Sequence, residues 1–511
     1  MMNSILGRLP GFAPLGIALM ISGATARADV TLPAIFSEHM VLQRDVAVPV
    51  WGWAEPGEKV SVSVAGQTQA TVAGADGKWG VRLAKLSAGE PTTLTVAGKN
   101  TITIQDVLVG EVWLGSGQSN MAMTVSGSKD FEQERAAASF PRIRMFKEES
   151  AAASSAQSVG KGKWLVCTPE TVGGFSAALY FFGRELHRTL GMTVGLINSS
   201  VGGTPIESWI APEVQRASPE LKEFFAAAQK DISAETTDAA KKKYERDLAK
   251  WEAETKQGRA QKQKAKRKPQ DPTAMSARKG NIGGLFYGKI APLIPYAIRG
   301  ALWYQGEANS TPAKAPFYEA QLRLLVTDWR ARWGYEFPFA WAQLPNFSGT
   351  GRDWPPVREA MLKTLALPQT GMGINIDIGE EKNIHPKNKQ EVGRRLSLWA
   401  LGTVYGRKVP ATSGPLPAGH EVRGREIILR FTHTHGGLMA KDGALQGFVI
   451  AGEDRRWKPA QARIEGDAVV VSCPEESKPI AARYAWENFP TCNLFNGAGL
   501  PASPFRTDTW K

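Results

Sequence analysis

A chain of 511 residues exceeds what one ordinary hydrophobic core organises, so two to four domains are expected. Hydrophobic residues at 42% beside charged residues at 22% exclude a disordered chain and are the composition of a folded soluble protein. The net charge of +13 raises a polyanion as partner, yet more than half of it lies between Lys241 and Lys268, where twelve Lys/Arg stand against four Asp/Glu.

In chain order, Arg8, a Pro/Gly-interrupted apolar stretch through 15–21 and Ala26-Arg27-Ala28 have the form of a secretory signal peptide cleaved after Ala28. Its apolar part is shorter than the roughly 20 residues a spanning helix needs, so the expectation is an exported protein, periplasmic or extracellular, without a membrane anchor. Over 29–106, short alternating runs at 46–53, 59–64 and 92–96 are separated by turns such as Pro56-Gly57 and Asp76-Gly77, which predicts a small antiparallel β module.

From 107 to about 410 the pattern changes to apolar strands alternating with amphipathic helices. Strands are expected at 106–114, 193–198, 299–304, 339–344 and 373–377, and helices at 175–190, 316–333, 355–367 and 389–401. That alternation implies an α/β fold with a mostly parallel sheet, in an order that resembles a flavodoxin-like three-layer α/β/α sandwich. Two charged helical patterns at about 212–277 interrupt it as an insertion. The basic run there reads as a solvated helix, because Tyr244 and Trp251 share one helical face and leave the most basic end bare, so no nucleic-acid partner is expected. Over 411–511 β signals return, at 426–431 and 468–472, as an accessory all-β region of β-sandwich or jelly-roll type. Whether it shares one sandwich with the first β module is open. Cys473 and Cys492 could pair, leaving Cys167 odd, or all three could be buried thiols.

Four polar segments follow predicted strands, where open α/β sheets place their binding crevice. The first, Trp113-Leu-Gly-Ser-Gly-Gln-Ser-Asn-Met121, offers Ser119 as a nucleophile, outside the G-x-S-x-G elbow of α/β-hydrolases. In the second, Gly202-Gly203 lets backbone N–H groups approach a developing oxyanion. The third, 303–309, brings Gln305, whose amide could aim at the same oxyanion, and Glu307, able to orient a neighbour or a sugar hydroxyl. The fourth, 377–389, carries His385, the one histidine of six in a loop at the end of a core strand and hence the best base. His433-x-His435 has a metal-like spacing but no third ligand nearby, so no metal is expected.

Gly-Gln-Ser-Asn-Met at 117–121, Gly-Gly-Thr-Pro-Ile-Glu at 202–207, Trp-Tyr-Gln-Gly-Glu-Ala-Asn at 303–309 and Ile-His-Pro-Lys-Asn-Lys at 384–389 resemble, in order, the blocks of sialate O-acetylesterase-type SGNH hydrolases. The similarity runs over nearly the whole mature chain. It implies a secreted serine carbohydrate esterase in which Ser119 attacks an acetyl carbonyl, His385 moves the proton, and an acetyl-enzyme is hydrolysed, with no cofactor. Ser119, Gly202 or Gly203, and Gln305 would form the oxyanion hole. Gln118, Asn120, Trp209, Glu307 and Asn309, in or beside these blocks, are the expected substrate contacts. Many SGNH enzymes have aspartate three residues before the histidine, where this chain has Lys382; Asp377 is the preferred third member, Glu380 or Glu381 the substitutes, and a Ser-His dyad the alternative. The expected substrate is an acetylated plant-wall polysaccharide such as xyloglucan or xylan, with O-acetyl sialic acid as the alternative and a non-catalytic carbohydrate-binding protein on a relict core as the second. Trp209, Trp303, Tyr304, Trp354 and Trp486 are candidates to stack on sugar rings.

Overall fold

The computed structural model describes residues 29–227, 238–260, 269, 282–349 and 351–510; the signal-peptide expectation falls on residues outside these. The first β region contains β1 (Val41–Gln43), β2 (Val48–Trp53), β3 (Lys59–Val64), β4 (Gln67–Val72), β5 (Lys78–Leu83) and β6 (Thr92–Ala97). Burial alternates along β2 and β3, as apolar-polar alternation requires of strands with one covered face.

The central element is β7 (Thr101–Gly117), 17 residues long, whose two halves do different work. Thr101–Val107 pairs antiparallel with β6, and Leu108–Gly110 pairs parallel with β1. Beyond Gly110 the strand is flanked by β10 (Val194–Ser200) and β11 (Gly300–Tyr304), both parallel to it. Asp106, at φ +51°, marks the change, and its carboxylate accepts hydrogen bonds from Arg144.

The core sheet has the order β13-β12-β11-β7-β10-β8-β9, completed by β8 (Phe140–Glu148), β9 (Gly162–Cys167), β12 (Phe339–Ala342) and β13 (Thr370–Gly373). All neighbours on this path are parallel except β9 against β8. Because β10 and β11 flank β7 on opposite sides, the chain diverges at its carboxyl end, which opens a crevice there.

Helices cover both faces. On one, α1 (Ala177–Leu190) and α2 (Lys389–Trp399) enclose Trp113, Leu179, Phe182, Leu196 and Leu396. On the other, α3 (Tyr318–Trp333) and α4 (Trp354–Thr364) pack Leu325, Trp329, Val357 and Met361 against Trp303, Phe339 and Trp341. Ser176 caps α1 by accepting from the Leu179 N–H, and Asn388 caps α2 by accepting from the Glu391 N–H. The basic segment is helical over Asp238–Ala260; residues 261–268 lie outside the described set.

Three details differ from the sequence reading. Strand β13 ends at Gly373, and Asn375, expected inside a strand, donates from its side chain to the Gln343 carbonyl. Strands β8 and β9 are additional to it; in β8, Arg144 and Glu148 interrupt the apolar pattern, yet both are buried, the first paired with Asp106 and the second with Lys289. The three cysteines are separate thiols, so Cys473 and Cys492 do not pair; burial pushes the Cys167 thiol up to about 12 and that of Cys492 to about 11.

The carboxyl-terminal β region forms two four-stranded sheets, one of Leu416–Arg423, Glu426–Thr432, Ala468–Ser472 and Gln461–Glu465, the other of Lys458–Pro459, Phe448–Ala451, Ala481–Tyr484 and Phe505–Arg506. Among the described residues no strand pairing joins them to the first β region. Their apolar residues nevertheless belong to the same core cluster as α3 and α4. Buried Arg358 ties the two together by donating to the carbonyls of Leu344, Pro345, Glu487 and Asn488. Among the described residues no helix is long and apolar enough to cross a membrane.

Candidate active site

Ser119 lies two residues past the end of β7, after Gln118, and opens a four-residue helix, Ser119–Ala122. The approach works only with glycine at 117: φ is +136°, and a Cβ there would meet the Tyr304 carbonyl oxygen at 2.2 Å. His385 reaches the same point from the loop between β13 and α2, its Nε2 2.8 Å from Ser119 Oγ. Both residues are half-buried, accessible yet partly shielded from water.

Gly202 comes from the loop after β10. A methyl group on it would lie 3.5 Å from the Ser119 Cβ, so its backbone runs beside the nucleophile, with Gly203 next in a left-handed conformation. Neither the Ser119 nor the Gly202 N–H has a hydrogen-bond partner among the described residues, which leaves both available to a ligand oxygen.

Gln305 does not join them. It is buried, and its amide donates to Gln118 Oε1, Thr204 O and Asn309 Oδ1, while Tyr318 donates to its oxygen. A primary amide has two hydrogens, and protein acceptors take both. The expected substrate contacts are likewise interior groups: Gln118, Asn120, Trp209, Glu307 and Asn309 are all buried. Asn309 accepts from the Ile206 N–H and donates to Glu207, Gln118 accepts from the Ala308 N–H, and Trp209 donates to Thr204 and packs edge-on against Trp303. They hold the loops after β7, β10 and β11 to one another. Trp303, Tyr304 and Trp354 are also fully buried, which removes them as stacking platforms; Trp486 is half-buried.

Asp377 does not orient His385. Its carboxylate accepts from the Arg395 guanidinium at 2.6 and 2.8 Å. Glu380 is engaged by the Asn383 side chain and the Lys387 N–H, and Glu381 and Lys382 are exposed. Among the described residues no carboxylate bonds to the His385 ring. The loop is fixed through its backbone instead. Asn383 accepts from the His385 N–H and donates to its carbonyl, Asn120 donates to the Ile384 carbonyl, and Lys389 donates to the Pro386 carbonyl.

Asn120 therefore links nucleophile and base. Adjacent to Ser119, it donates to Ile384 O and Glu307 Oε1 and accepts from Lys389 Nζ at 2.6 Å. Burial pushes Lys389 down to about 7 against the opposing pull of Glu307, and burial holds Glu307 above the usual carboxylate range. Burial and then the Lys389 charge lower the His385 pKa, which favours the neutral imidazole a general base requires. Lys389, Tyr318 and Arg352, which donates to the Glu307 carbonyl, carry this scaffold and were not singled out from sequence. For Lys389 a signal existed: a lysine opening a helix with an apolar face, inside a block already singled out.

The profile of the family described as "Carbohydrate esterase, sialic acid-specific acetylesterase" matches residues 109–253 and 288–399, which include Ser119, Gly202, Gln305 and His385. Sialate O-acetylesterase of Rattus norvegicus is 27% identical over 96% of this chain and 97% of its own length, and that of Homo sapiens is 28% identical over 97% and 96%. A crystal structure of a carbohydrate acetylesterase from Xanthomonas citri superposes with a TM-score of 0.78 at 36% identity, covering 94% of this chain and all of that one. Carrying these blocks in order, the chain belongs to the carbohydrate esterase, sialic acid-specific acetylesterase family and is a carboxylic ester hydrolase.

Proposed function

We propose that the protein removes O-acetyl groups from carbohydrate through a Ser119–His385 dyad. The 2.8 Å contact between His385 Nε2 and Ser119 Oγ carries the reading. The neutral imidazole takes the hydroxyl proton as Oγ attacks the acetyl carbon. The N–H groups of Ser119 and Gly202, with Gly203 beside them, receive the oxyanion, each such donor worth about 3 kcal/mol of barrier. The imidazolium returns its proton to the departing sugar oxygen, and water activated by the same ring then hydrolyses the acetyl-enzyme to acetate. The backbone clasps on 383–386 take over the orienting role a carboxylate has elsewhere.

The substrate we favour is an acetylated plant-wall polysaccharide such as xyloglucan or xylan; similarity over 94% of the chain to a protein described as a carbohydrate acetylesterase supports the coarser reading of a carbohydrate ester. A second reading, O-acetyl sialic acid, is favoured by the names of the mammalian relatives and by exposed Lys382 and Lys387 beside His385, whose charge would meet a sugar carboxylate. Acetate release from acetylated xyloglucan, acetylated xylan and O-acetyl sialic acid, measured side by side, separates them. Hydrolysis of p-nitrophenyl acetate should vanish in Ser119→Ala and His385→Ala; full activity in either refutes the dyad. Export with cleavage after Ala28 completes the reading, and the mature protein should begin at Asp29.

A further inference from the structure

A crevice of about 880 Å³, away from Ser119, separates the first turn of α3 and the length of α4 from the last sheet of the chain. Its volume falls in the range of roughly 300–1,000 Å³ in which ligand sites occur, and clefts between structural units are favoured places for them. One wall carries Trp457, Trp486 and Trp510. Arginines interleave with these rings: Arg455 lies 5.3 Å from Trp510, Arg483 4.1 Å from Trp457, and Arg506 5.1 Å from Trp486. Asp508 holds Arg483 and Glu359 holds Arg506, so the aromatic wall is rigid before any ligand arrives.

Such a ladder would also serve simply to hold the terminal strands. The opposite wall argues for more. Asp353 lines the crevice, is half-buried, and among the described residues makes no side-chain hydrogen bond or ion pair. Arg455, on the sheet side of the crevice, is exposed and has no carboxylate partner among the described residues. Aromatic surface flanked by uncommitted acceptors and donors is the chemistry that recognises a pyranose, whose ring faces are apolar and whose edge carries hydroxyls. With Arg483 and Arg506 neutralised by their partners, the remaining lining has no surplus of positive charge for an acidic sugar.

One end of the crevice lies at the catalytic end of the sheet. Helices that follow parallel strands begin at the strands' carboxyl ends, so Asp353 and the first turn of α3 share the rim on which Ser119 lies. The connection is short: Arg352, next to Asp353, donates to the Glu307 carbonyl, and Glu307 accepts from Asn120 beside the nucleophile.

We propose that this crevice is a second carbohydrate site that binds the backbone of a neutral polysaccharide while Ser119 deacetylates residues further along the same chain. The choice of a glycan as ligand rests on the esterase reading above. The test uses the full-length protein with deacetylated xyloglucan and deacetylated xylan as probes, so that binding is read without ester chemistry, by calorimetry and affinity electrophoresis. Arg455→Ala, at an exposed position, and Trp486→Ala should each weaken polymer binding at least about tenfold. Both should lower acetate release from acetylated polymer while hydrolysis of p-nitrophenyl acetate stays within twofold. If Trp486→Ala fails to fold, Arg455→Ala and Asp353→Ala decide the matter. A wild-type protein that binds neither polymer, or folded variants that bind as it does, overturns the proposal. Loss of aryl-ester hydrolysis in Ser119→Ala with polymer binding intact would leave both readings standing, whereas full hydrolysis in Ser119→Ala would sink the esterase mechanism alone.

Discussion

Replacing Asp377 by asparagine decides between a triad and a dyad. In a serine triad, swapping the carboxylate that holds the imidazole for an amide costs about 10⁴ in kcat, because the ring then sits in the wrong tautomer. Here the carboxylate meets Arg395 through two hydrogen bonds of 2.6 and 2.8 Å, and Arg395 is almost fully buried. Asp377→Asn keeps the shape but removes the charge, leaving Arg395 with Glu391 and the Ile374 carbonyl as partners. Breaking one member of a buried ion pair typically costs about 3–5 kcal/mol, and the retained Glu391 contact puts the expected loss at the lower end, about 3 kcal/mol. The prediction is a clear fall in thermal midpoint with kcat on p-nitrophenyl acetate within about threefold of wild type at 25 °C, where the variant remains folded. His385→Ala, measured in parallel, should fall by about 10⁴ or more. A folded Asp377→Asn enzyme that loses a thousandfold in kcat would refute the dyad and restore Asp377 as the orienting group.

Lys389→Met removes the positive charge that lowers the His385 pKa, so the acid limb of kcat/KM should move to higher pH; an unmoved limb would show that the two groups do not interact. The same lysine makes stability pH-dependent. Its folded pKa of about 7 lies below the ordinary value of 10.5, so between these values the unfolded chain binds more protons and wild-type stability should rise with pH, a slope Lys389→Met should lose in denaturant titrations at pH 7 and 9. Gly117→Ala should destabilise the protein by more than about 3 kcal/mol and abolish activity, since the added methyl collides with the Tyr304 carbonyl; near-normal melting and turnover would contradict the backbone geometry. Arg358→Met strips donors from four carbonyls and should cost about 3–5 kcal/mol, seen as earlier thermal unfolding and increased proteolysis around 487–488 with kcat little changed before unfolding.

Much of the molecule was legible locally. Apolar runs at 193–198, 299–304 and 339–344 and helical periodicities at 175–190 and 316–333 place strands and helices to within a few residues, because periodicity reports which face of an element is covered. Local reading failed where burial was obtained by pairing charges. Strand β8 contains Arg144 and Glu148, whose partners Asp106 and Lys289 stand 38 and 141 residues away, and no window around 140–148 contains them.

At the site the division is similar. Ser119, Gly202 and His385 could be singled out by residue type and chain position within ordered family-like blocks, since each follows an apolar strand and the carboxyl ends of parallel strands converge on one rim. What surrounds them could not. Gln305, Asn309, Gln118 and Trp209 have the polarity and aromaticity of substrate contacts, and only packing reveals that their hydrogen bonds are spent on one another. Asp377 likewise stood at the best chain position for a third catalytic member, but Arg395, a turn and a half along α2, is aimed at it and claims both its oxygens. Sequence alone therefore determined the family blocks and marked the candidate pair at their centre, because residue type and order are local properties. The tertiary structure decided which polar groups remain free to act, because a hydrogen bond's partner is set by the three-dimensional neighbourhood that only the folded chain creates.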